Sequence, residues 1–169
     1  MTLVVLCIRY KMKIRNGFVS NSSSSSFILV FDTLPKSVEE LQGMLNFDEC
    51  STRFSPEEYA QQVFSDIQCD DADDETLREL FEHEAYWECV DEFSKTWQTE
   101  DKEERDRLHK AAKDLSDQIT NRMLQEFKEK NKGKSIKVVR YSDNDGTLCA
   151  NLEHGNLFVN IKHIYINQH

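Results

Sequence analysis

The chain has 169 residues, 38% of them apolar, and a formal net charge of −10 at pH 7. This length allows one domain with a substantial core, and the charge argues against nucleic-acid binding by the whole surface. The five cysteines are odd in number and form no CxxC pair, which argues against a disulfide framework and predicts a reducing, cytoplasmic environment.

The first 26 residues are predicted to form a basic, serine-rich arm, with Met12 as an alternative start. The first 31 residues contain no acidic residue, and Ser22 to Ser26 form an uninterrupted run. Such runs are typical of flexible polar segments. The hydroxyls, with Arg15, also suit phosphate or nucleic-acid binding, or a tag read by another protein. Residues 2–8 are apolar but too short for a membrane span or a signal sequence.

Residues 27–169 are predicted to form a single domain that opens with a buried strand, "FILVF", at residues 27–31. Ser37, followed three residues later by Glu40, predicts a capped short helix. Ser55 before Pro56 predicts a second helix, which would run to about residue 67.

Residues 36–131 form an acidic helical region with 27 acidic and 12 basic residues. Residues 69–97 are predicted to form one amphipathic helix. Its apolar stripe comprises Leu77, Leu80, Phe81, Trp87, Val90, Phe93 and Trp97. A longer helix is expected over residues 101–130, ending at a glycine C-cap at Gly133. Its apolar face comprises Leu108, Ala112, Leu115, Ile119, Met123 and Phe127.

The period of the apolar residues changes to two near residue 135, which predicts a β-meander over residues 135–167. Its strands would be "SIKVVRYS", "LCANLEH" and "LFVNIKHIYIN", with a tight turn at residues 143–147. The predicted fold is therefore α+β. A helical insert of three to four helices packs on a small, mainly antiparallel sheet made of the C-terminal meander and the N-terminal strand.

Metal-binding patterns in this chain are weak. A calcium-binding loop has glycine at its sixth position. If Gly146 were that glycine, Leu152 would stand at position twelve, where a glutamate is needed. His83-Glu84 resembles the start of a zinc-protease helix, but Trp87 stands where the second histidine belongs. The remaining cluster of zinc-type ligands is His154, His163, His169 and Cys149. Because His163 is in phase with the apolar residues of the last predicted strand, a core histidine bonded to a backbone group is favoured. No catalytic residue, metal or cofactor is predicted.

One segment resembles a known pattern. "MKIRNGFVSNSSSSSFIL", residues 12–29, resembles an N-terminal signature of many uncharacterised bacterial and phage proteins. The C-terminal "YSDNDGTLCANLEHGNLF…HIYINQH" is also similar to the ends of some small phage proteins of this kind. The resemblance implies a phage or prokaryotic origin, a start at Met12, and a transferable tag or docking segment rather than a catalytic loop. The tag residues are Arg15, Asn16, Gly17, Phe18, Ser22, Ser23, Ser24, Ser25, Ser26 and Phe27.

These observations favour a non-enzymatic, phage-type accessory protein that binds a macromolecule through its acidic helical surface. Inhibition of a nucleic-acid-handling or defence system in the host cytoplasm is the specific form of this hypothesis. The partner would be a protein with a basic surface, and only the N-terminal arm would contact nucleic acid directly. The binding acids would be Asp70, Asp71, Asp73, Asp74, Glu75, Glu100, Asp101, Glu103 and Glu104. The alternatives are a small metal-dependent or acid–base enzyme using the C-terminal histidines, and a structural virion component.

Overall fold

The computed structural model describes residues 24–48, 50, 52–69, 72–154 and 156–167. These residues form three strands and six α-helices, which confirms the predicted α+β class. In chain order the elements are β1 (Ser24–Phe31), α1 (Val38–Gln42), α2 (Pro56–Cys69), α3 (Asp74–Glu88), α4 (Val90–Gln98), α5 (Lys102–Lys130), β2 (Ser135–Ser142), a short 3-10 helix (Asp143–Asp145), α6 (Thr147–His154) and β3 (Lys162–Asn167).

The three strands form one antiparallel sheet in the order β2-β1-β3. Phe27 of the central strand pairs with Val139 on one side and with Tyr165 on the other. Every residue from 25 to 31 is buried. A continuous apolar run is typical of a strand that is covered on both faces, so the prediction of a buried strand at residues 27–31 is confirmed.

The serine run enters this strand. Because β1 begins at Ser24, three of the five serines belong to the central strand and not to the arm predicted over residues 1–26. Ser25 and Ser26 are fully buried. The remaining tag residues lie outside the described residues, as does the alternative start at Met12: Arg15, Asn16, Gly17, Phe18, Ser22 and Ser23.

The sheet lies between two layers of helices. Phe27, Leu29 and Phe31 pack on one face in a core shared with α1, α2 and α6. Ile28 and Val30 pack on the other face with α3 and α5. The helix α4 packs mainly on α5, and Thr96 is its buried residue. The alternation of β1 side chains thus supplies two cores from one strand.

One strand of the predicted meander is a helix. Residues 148–154, expected to form its middle strand, belong to α6. Leu148 and Leu152 both contact the first core. Because a spacing of four residues is in phase with both a helix and a strand, the pattern did not distinguish them. The preceding segment is a 3-10 helix ending at Gly146, whose φ is +110°, and not a hairpin turn.

The last strand also differs from its prediction. It begins at Lys162, whereas residues 157–160 form a turn. Ile166 is buried in the second core, and Ile164 packs against that core. His163 and Tyr165 point to the opposite face and are exposed. The expectation that His163 is a core residue is wrong. The prediction treated residues 157–167 as one continuous strand, whereas a turn precedes β3 and changes which side chains of the strand face the core.

The helical region keeps its predicted caps. The Ser37 and Ser55 hydroxyls accept hydrogen bonds from the amides of Glu40 and Glu58, each at 3.2 Å. The single helix predicted over residues 69–97 is divided at Cys89 into α3 and α4. No helix in the described part of the chain combines the length and apolar composition needed to cross a membrane.

Candidate functional site

The acids predicted to bind a partner divide into two groups, and the first lies at the start of α3. Asp70 and Asp71 are outside the described residues. Asp73 is the N-cap of α3 and accepts a hydrogen bond at 2.7 Å from a backbone amide in the first turn. That hydrogen bond lowers the pKa of Asp73 from its usual value. Asp74 forms an ion pair with Lys128 in the last turn of α5.

The second group surrounds the start of α5. Asp101 is the N-cap and accepts a hydrogen bond from the Glu104 amide at 2.8 Å. The Glu104 carboxylate accepts two hydrogen bonds from Arg107, at 2.6 and 2.8 Å. These contacts give several of the predicted acids a role in helix stability. The other acids are exposed and have no ion pair with another described residue: Glu75, Glu100 and Glu103.

The two acidic groups lie at opposite ends of a long helix. Asp101 precedes the 29-residue helix α5, and Asp74 is bonded to Lys128 in its last turn. At about 1.5 Å per residue, the helix separates the two groups by about 40 Å. The structure therefore does not bring the predicted binding acids together into one compact patch.

A connected set of aromatic rings joins α3, α4 and α5. The ring centroid of Tyr86 is 5.7 Å from that of Trp87 and 4.9 Å from that of Phe93. Phe93 lies 5.8 Å from His109, and Trp87 lies 6.3 Å from His83. We call these five residues the aromatic belt. Sequence reasoning predicted the apolar stripe of these helices but missed Tyr86 and the two histidines.

The aromatic belt is accessible and lies in acidic surroundings. Trp87 is 51% exposed, and Trp97, one helical turn beyond Phe93, is 73% exposed. Both tryptophans belong to the apolar stripe predicted from the sequence, yet they are exposed, and the single helix that defined the stripe is divided at Cys89. Helices α3 and α4 together contain eight acidic and two basic residues. Exposed tryptophans supply large contact areas in protein interfaces.

A cavity of about 440 Å³ lies beside β3, on the face that α1, α2 and α6 leave partly uncovered. Its floor is formed by Phe27 and Phe158, whose ring centroids are 4.8 Å apart. Tyr165 and Val159 line it with side chains that are 45% and 59% exposed. The cavity therefore has a buried aromatic floor and an open mouth.

Polar groups complete the lining of this cavity. Glu153, from α6, is 1% exposed, and Asn156 lies in the loop that follows. His163 comes from β3, and its Nδ1 is 2.8 Å from the carbonyl oxygen of Ile161. Because that carbonyl can only accept, Nδ1 carries the proton and donates it, and in the neutral ring Nε2 is left as an acceptor. The sequence could not reveal Glu153 as a lining residue, since its segment was predicted to be a strand.

The other zinc-type ligands do not join His163 in a described site. The side chain of His154 and all of His169 lie outside the described residues. Cys149 is half-buried, and burial raises the pKa of its thiol, with further contributions from Asp145 and Asp66. Within the described residues, no group of three or more such side chains is placed to hold a metal ion.

The buried Tyr141 belongs to β2 and lies close to Asp66 of α2. Burial raises the pKa of Tyr141 well above its usual value, and the negative charge of Asp66 adds to the shift. Asp66 also accepts a hydrogen bond from Gln62 at 2.9 Å. The phenol therefore stays protonated, and we interpret this contact as part of the core rather than as a reactive centre.

Comparisons with known proteins add no relative. No protein-family model matches the chain, and no curated protein or solved structure is significantly similar to it.

Proposed function

We propose that this chain is a non-enzymatic binding protein whose aromatic belt and the acidic helices around it dock on the basic surface of a protein partner. The observation that carries the proposal is the connected set of rings across α3, α4 and α5, with Trp87 and Trp97 exposed among carboxylates. Interfaces concentrate their binding energy in a few aromatic side chains. Charged residues around them contribute mainly to orientation and association rate.

The charge distribution supports a basic partner. The net charge of −10 produces a long-range field that attracts positive surfaces and repels the nucleic-acid backbone. Glu84 and Trp87 line one shallow depression together with Tyr165, so an apolar anchor and a carboxylate are presented side by side. A lysine or arginine of the partner beside this tryptophan would gain both a cation–π contact and an ion pair.

The biological form of the proposal is an accessory protein encoded by a phage and acting in the host cytoplasm. Its partner would be a protein that handles nucleic acid or takes part in defence, because such proteins carry the basic surfaces that an acidic protein can occupy. The acidic group at the start of α5 is the part of the predicted binding set that lies nearest this surface in the sequence, because Glu100 follows Trp97 by three residues and His109 of the aromatic belt belongs to α5. The group at the start of α3 lies beside Lys128, about 40 Å along α5 from the group at its start.

The experiment compares capture of host proteins by the wild-type chain and by Trp87→Ala, which removes the exposed tryptophan of the aromatic belt. A protein retained by the first and lost by the second is purified, and its Kd is measured. Removing an anchor of this kind costs about 2 kcal/mol or more, which is about a 30-fold weakening. Raising the salt concentration from about 50 to about 300 mM is expected to weaken binding further, because it screens the charges.

Two matched variants test the charged part of the surface. Glu84→Gln removes a charge beside Trp87, whereas Glu57→Gln removes the same charge from α2, which packs on the opposite face of the sheet. Weaker binding in the first variant and unchanged binding in the second is expected. A partner whose affinity is unaffected by Trp87→Ala, Trp97→Ala and salt would refute the proposal.

A further inference from the structure

We infer that the groove between β3 and the helices α3 and α5 binds the C-terminal tail of a protein partner, as an extended peptide that adds a strand to the sheet and ends in an apolar residue with a free carboxylate. The inference goes beyond the proposed function, because it concerns the edge of the sheet and not the aromatic belt. One lining residue, Glu84, also borders the depression beside Trp87. The experiment therefore uses a synthetic peptide, whose binding does not depend on the partner of the proposed function.

The strand β3 lies at the edge of the sheet. In the order β2-β1-β3 it is an outer strand, and among the described strands it pairs with β1 alone. An edge strand presents a row of backbone donors and acceptors that can pair with another chain. Peptide recognition by strand addition uses such an edge, and side-chain pockets beside it supply specificity.

A groove of about 380 Å³ lies beside β3 on the side of α3 and α5. Val30, Phe81 and Phe127 are buried side chains at its floor, and the ring centroids of the two phenylalanines are 5.5 Å apart. The half-buried Met123 and Ile164 complete the apolar lining. Because alternate side chains of an extended peptide point to the same face of a sheet, the groove can receive every second side chain of a peptide paired with β3.

The end of the groove at the start of β3 is basic. Lys162, the first residue of β3, and Lys130, the last residue of α5, both line it. The ammonium group of Lys162 donates a hydrogen bond at 2.5 Å to the amide oxygen of Asn131, which is 2% exposed. The Asn131 amide nitrogen in turn donates to the carbonyl oxygen of Phe127 at 2.7 Å. A fixed, neutral amide thus positions the Lys162 ammonium group without neutralising its charge.

Positive charge exceeds negative charge at this basic end. Desolvation lowers the pKa of Lys162, and the positive charges of Lys134 and Lys130 lower it further. Asp32 opposes this shift, but its carboxylate is already bonded to Lys134 at 2.9 Å. Among the described residues, Lys130 and Lys162 have no ion pair. A carboxylate at this end of the groove would therefore meet two ammonium groups that lack a counter-charge.

The other end of the groove is acidic. Glu84 lines the groove and also the depression that contains Tyr165 and Asn167, so it lies toward the end of β3. The two ends of the six-residue strand β3 are about 17 Å apart. A peptide antiparallel to β3 places its terminal carboxylate near Lys162 and a basic residue, four positions earlier, near Glu84. The charges of the groove thus favour the antiparallel pairing that β1 also makes with both of its neighbours.

The experiment is an NMR titration of the full chain with acetyl-Arg-Thr-Val-Thr-Leu, which carries a free carboxylate, observed through the backbone amides. The arginine, valine and leucine side chains lie on the same side of this peptide when it is extended. Saturable shifts of the Lys130, Lys162 and Ile164 amides are expected. The same peptide with a C-terminal amide is the matched probe. It should bind at least about tenfold more weakly, because it lacks the charged hydrogen bond to the lysines.

Two lysine variants locate the carboxylate. Lys162→Gln should weaken binding of the free-carboxylate peptide by about tenfold and leave binding of the amide peptide unchanged. Lys162 is exposed, so its replacement should leave the fold intact. Lys132→Gln removes the same charge from an exposed lysine that does not line the groove, and it should bind both peptides as the wild type does. Equal affinity of the two variants for the free-carboxylate peptide would overturn the inference.

Methylation of the peptide nitrogen tests strand addition. Because alternate amides of a strand point to its neighbour, methylation at the valine or at the threonine after it should abolish binding in one case and leave it nearly unchanged in the other. Equal effects of the two methyl groups would argue against a paired strand and overturn the inference.

Two other occupants of the groove are outcomes of the same titration. Absence of peptide binding by the full chain, the result expected if residues 2–8 of the same chain occupy the groove, would refute the inference. Shifts of the β3 amides that depend on protein concentration without peptide would identify a second copy of the chain as the occupant, and would refute it as well.

Discussion

The hydroxyl oxygens of Ser25 and Tyr165 lie 3.1 Å apart, although the two residues are not register partners. Tyr165 pairs with Phe27, and Ser25 pairs with Asn167, so the contact runs diagonally across the β1–β3 pair. One serine of the run thus holds a wall of the cavity from within the central strand.

The two buried serines are expected to respond differently to substitution. Ser25→Ala removes the hydrogen bond to Tyr165 and should lower the free energy of unfolding by about 1 kcal/mol. Ser26 is fully buried, and its hydroxyl has no partner within the described part of the chain. Ser26→Ala should therefore be neutral or stabilising by up to about 1 kcal/mol, because it removes a desolvated hydroxyl.

Urea unfolding of the single variants, of Tyr165→Phe and of the Ser25→Ala/Tyr165→Phe double variant measures these effects. The double variant should lose no more than about 0.5 kcal/mol beyond Ser25→Ala alone, since both changes break one hydrogen bond. A cost for Ser26→Ala equal to that for Ser25→Ala would contradict the assignment.

Trp97 is expected to be nearly irrelevant to stability despite its size. Because 73% of it is exposed, Trp97→Ala should change the free energy of unfolding by less than about 0.5 kcal/mol. Phe31, 2% exposed in the central strand, is the matched comparison, and Phe31→Ala should cost about 3–5 kcal/mol. Denaturant titration distinguishes the two, and a large loss in Trp97→Ala would show that the tryptophan packs on the domain.

Acid is expected to weaken the start of α3. The pKa of Asp73 is lowered in the folded chain by the amide of Thr76, so its contribution to stability is present above the unfolded pKa, near 3.8. That contribution is lost as the pH falls from this value through the lower folded pKa.

The unfolding free energy of Asp73→Asn should accordingly depend less steeply on pH than that of the wild type between about pH 5 and about pH 2. Glu75→Gln is the control, because Glu75 is an exposed acid in the same turn. Identical pH slopes for the wild type and Asp73→Asn would show that the Asp73 cap does not contribute to the pH dependence of the unfolding free energy.

Three of the four described cysteines, Cys69, Cys149 and Cys89, should react with iodoacetamide in a fixed order. Cys69 is exposed and should be alkylated first, and the half-buried Cys149 should follow. Cys89 should be last, because it is 1% exposed and because burial, with Glu88 and Glu92, raises the pKa of its thiol. Mass spectrometry of tryptic peptides over time reads each site separately. Early alkylation of Cys89 would show that the α3–α4 junction opens.

Local signals in the sequence were sufficient for several elements. The serine caps predicted at Ser37 and Ser55 begin helices that the structure shows. These predictions succeed because a cap is satisfied by amides within its own helical turn. The spatial arrangement of the acids predicted to bind a partner did not follow from the sequence, since only the fold shows that α5 separates the two groups by about 40 Å.

The sequence alone determined the α+β class, the buried strand at residues 27–31 and the caps, because each depends on the chemistry of neighbouring residues. Tertiary structure decided that residues 147–154 are a helix, that Trp87 and Trp97 face solvent, and that His163 meets Glu153 at a cavity. In each of these cases the local pattern suited two arrangements. Which arrangement forms depends on the surface that packs against the segment, and contacts between residues far apart in the chain decide which surface that is.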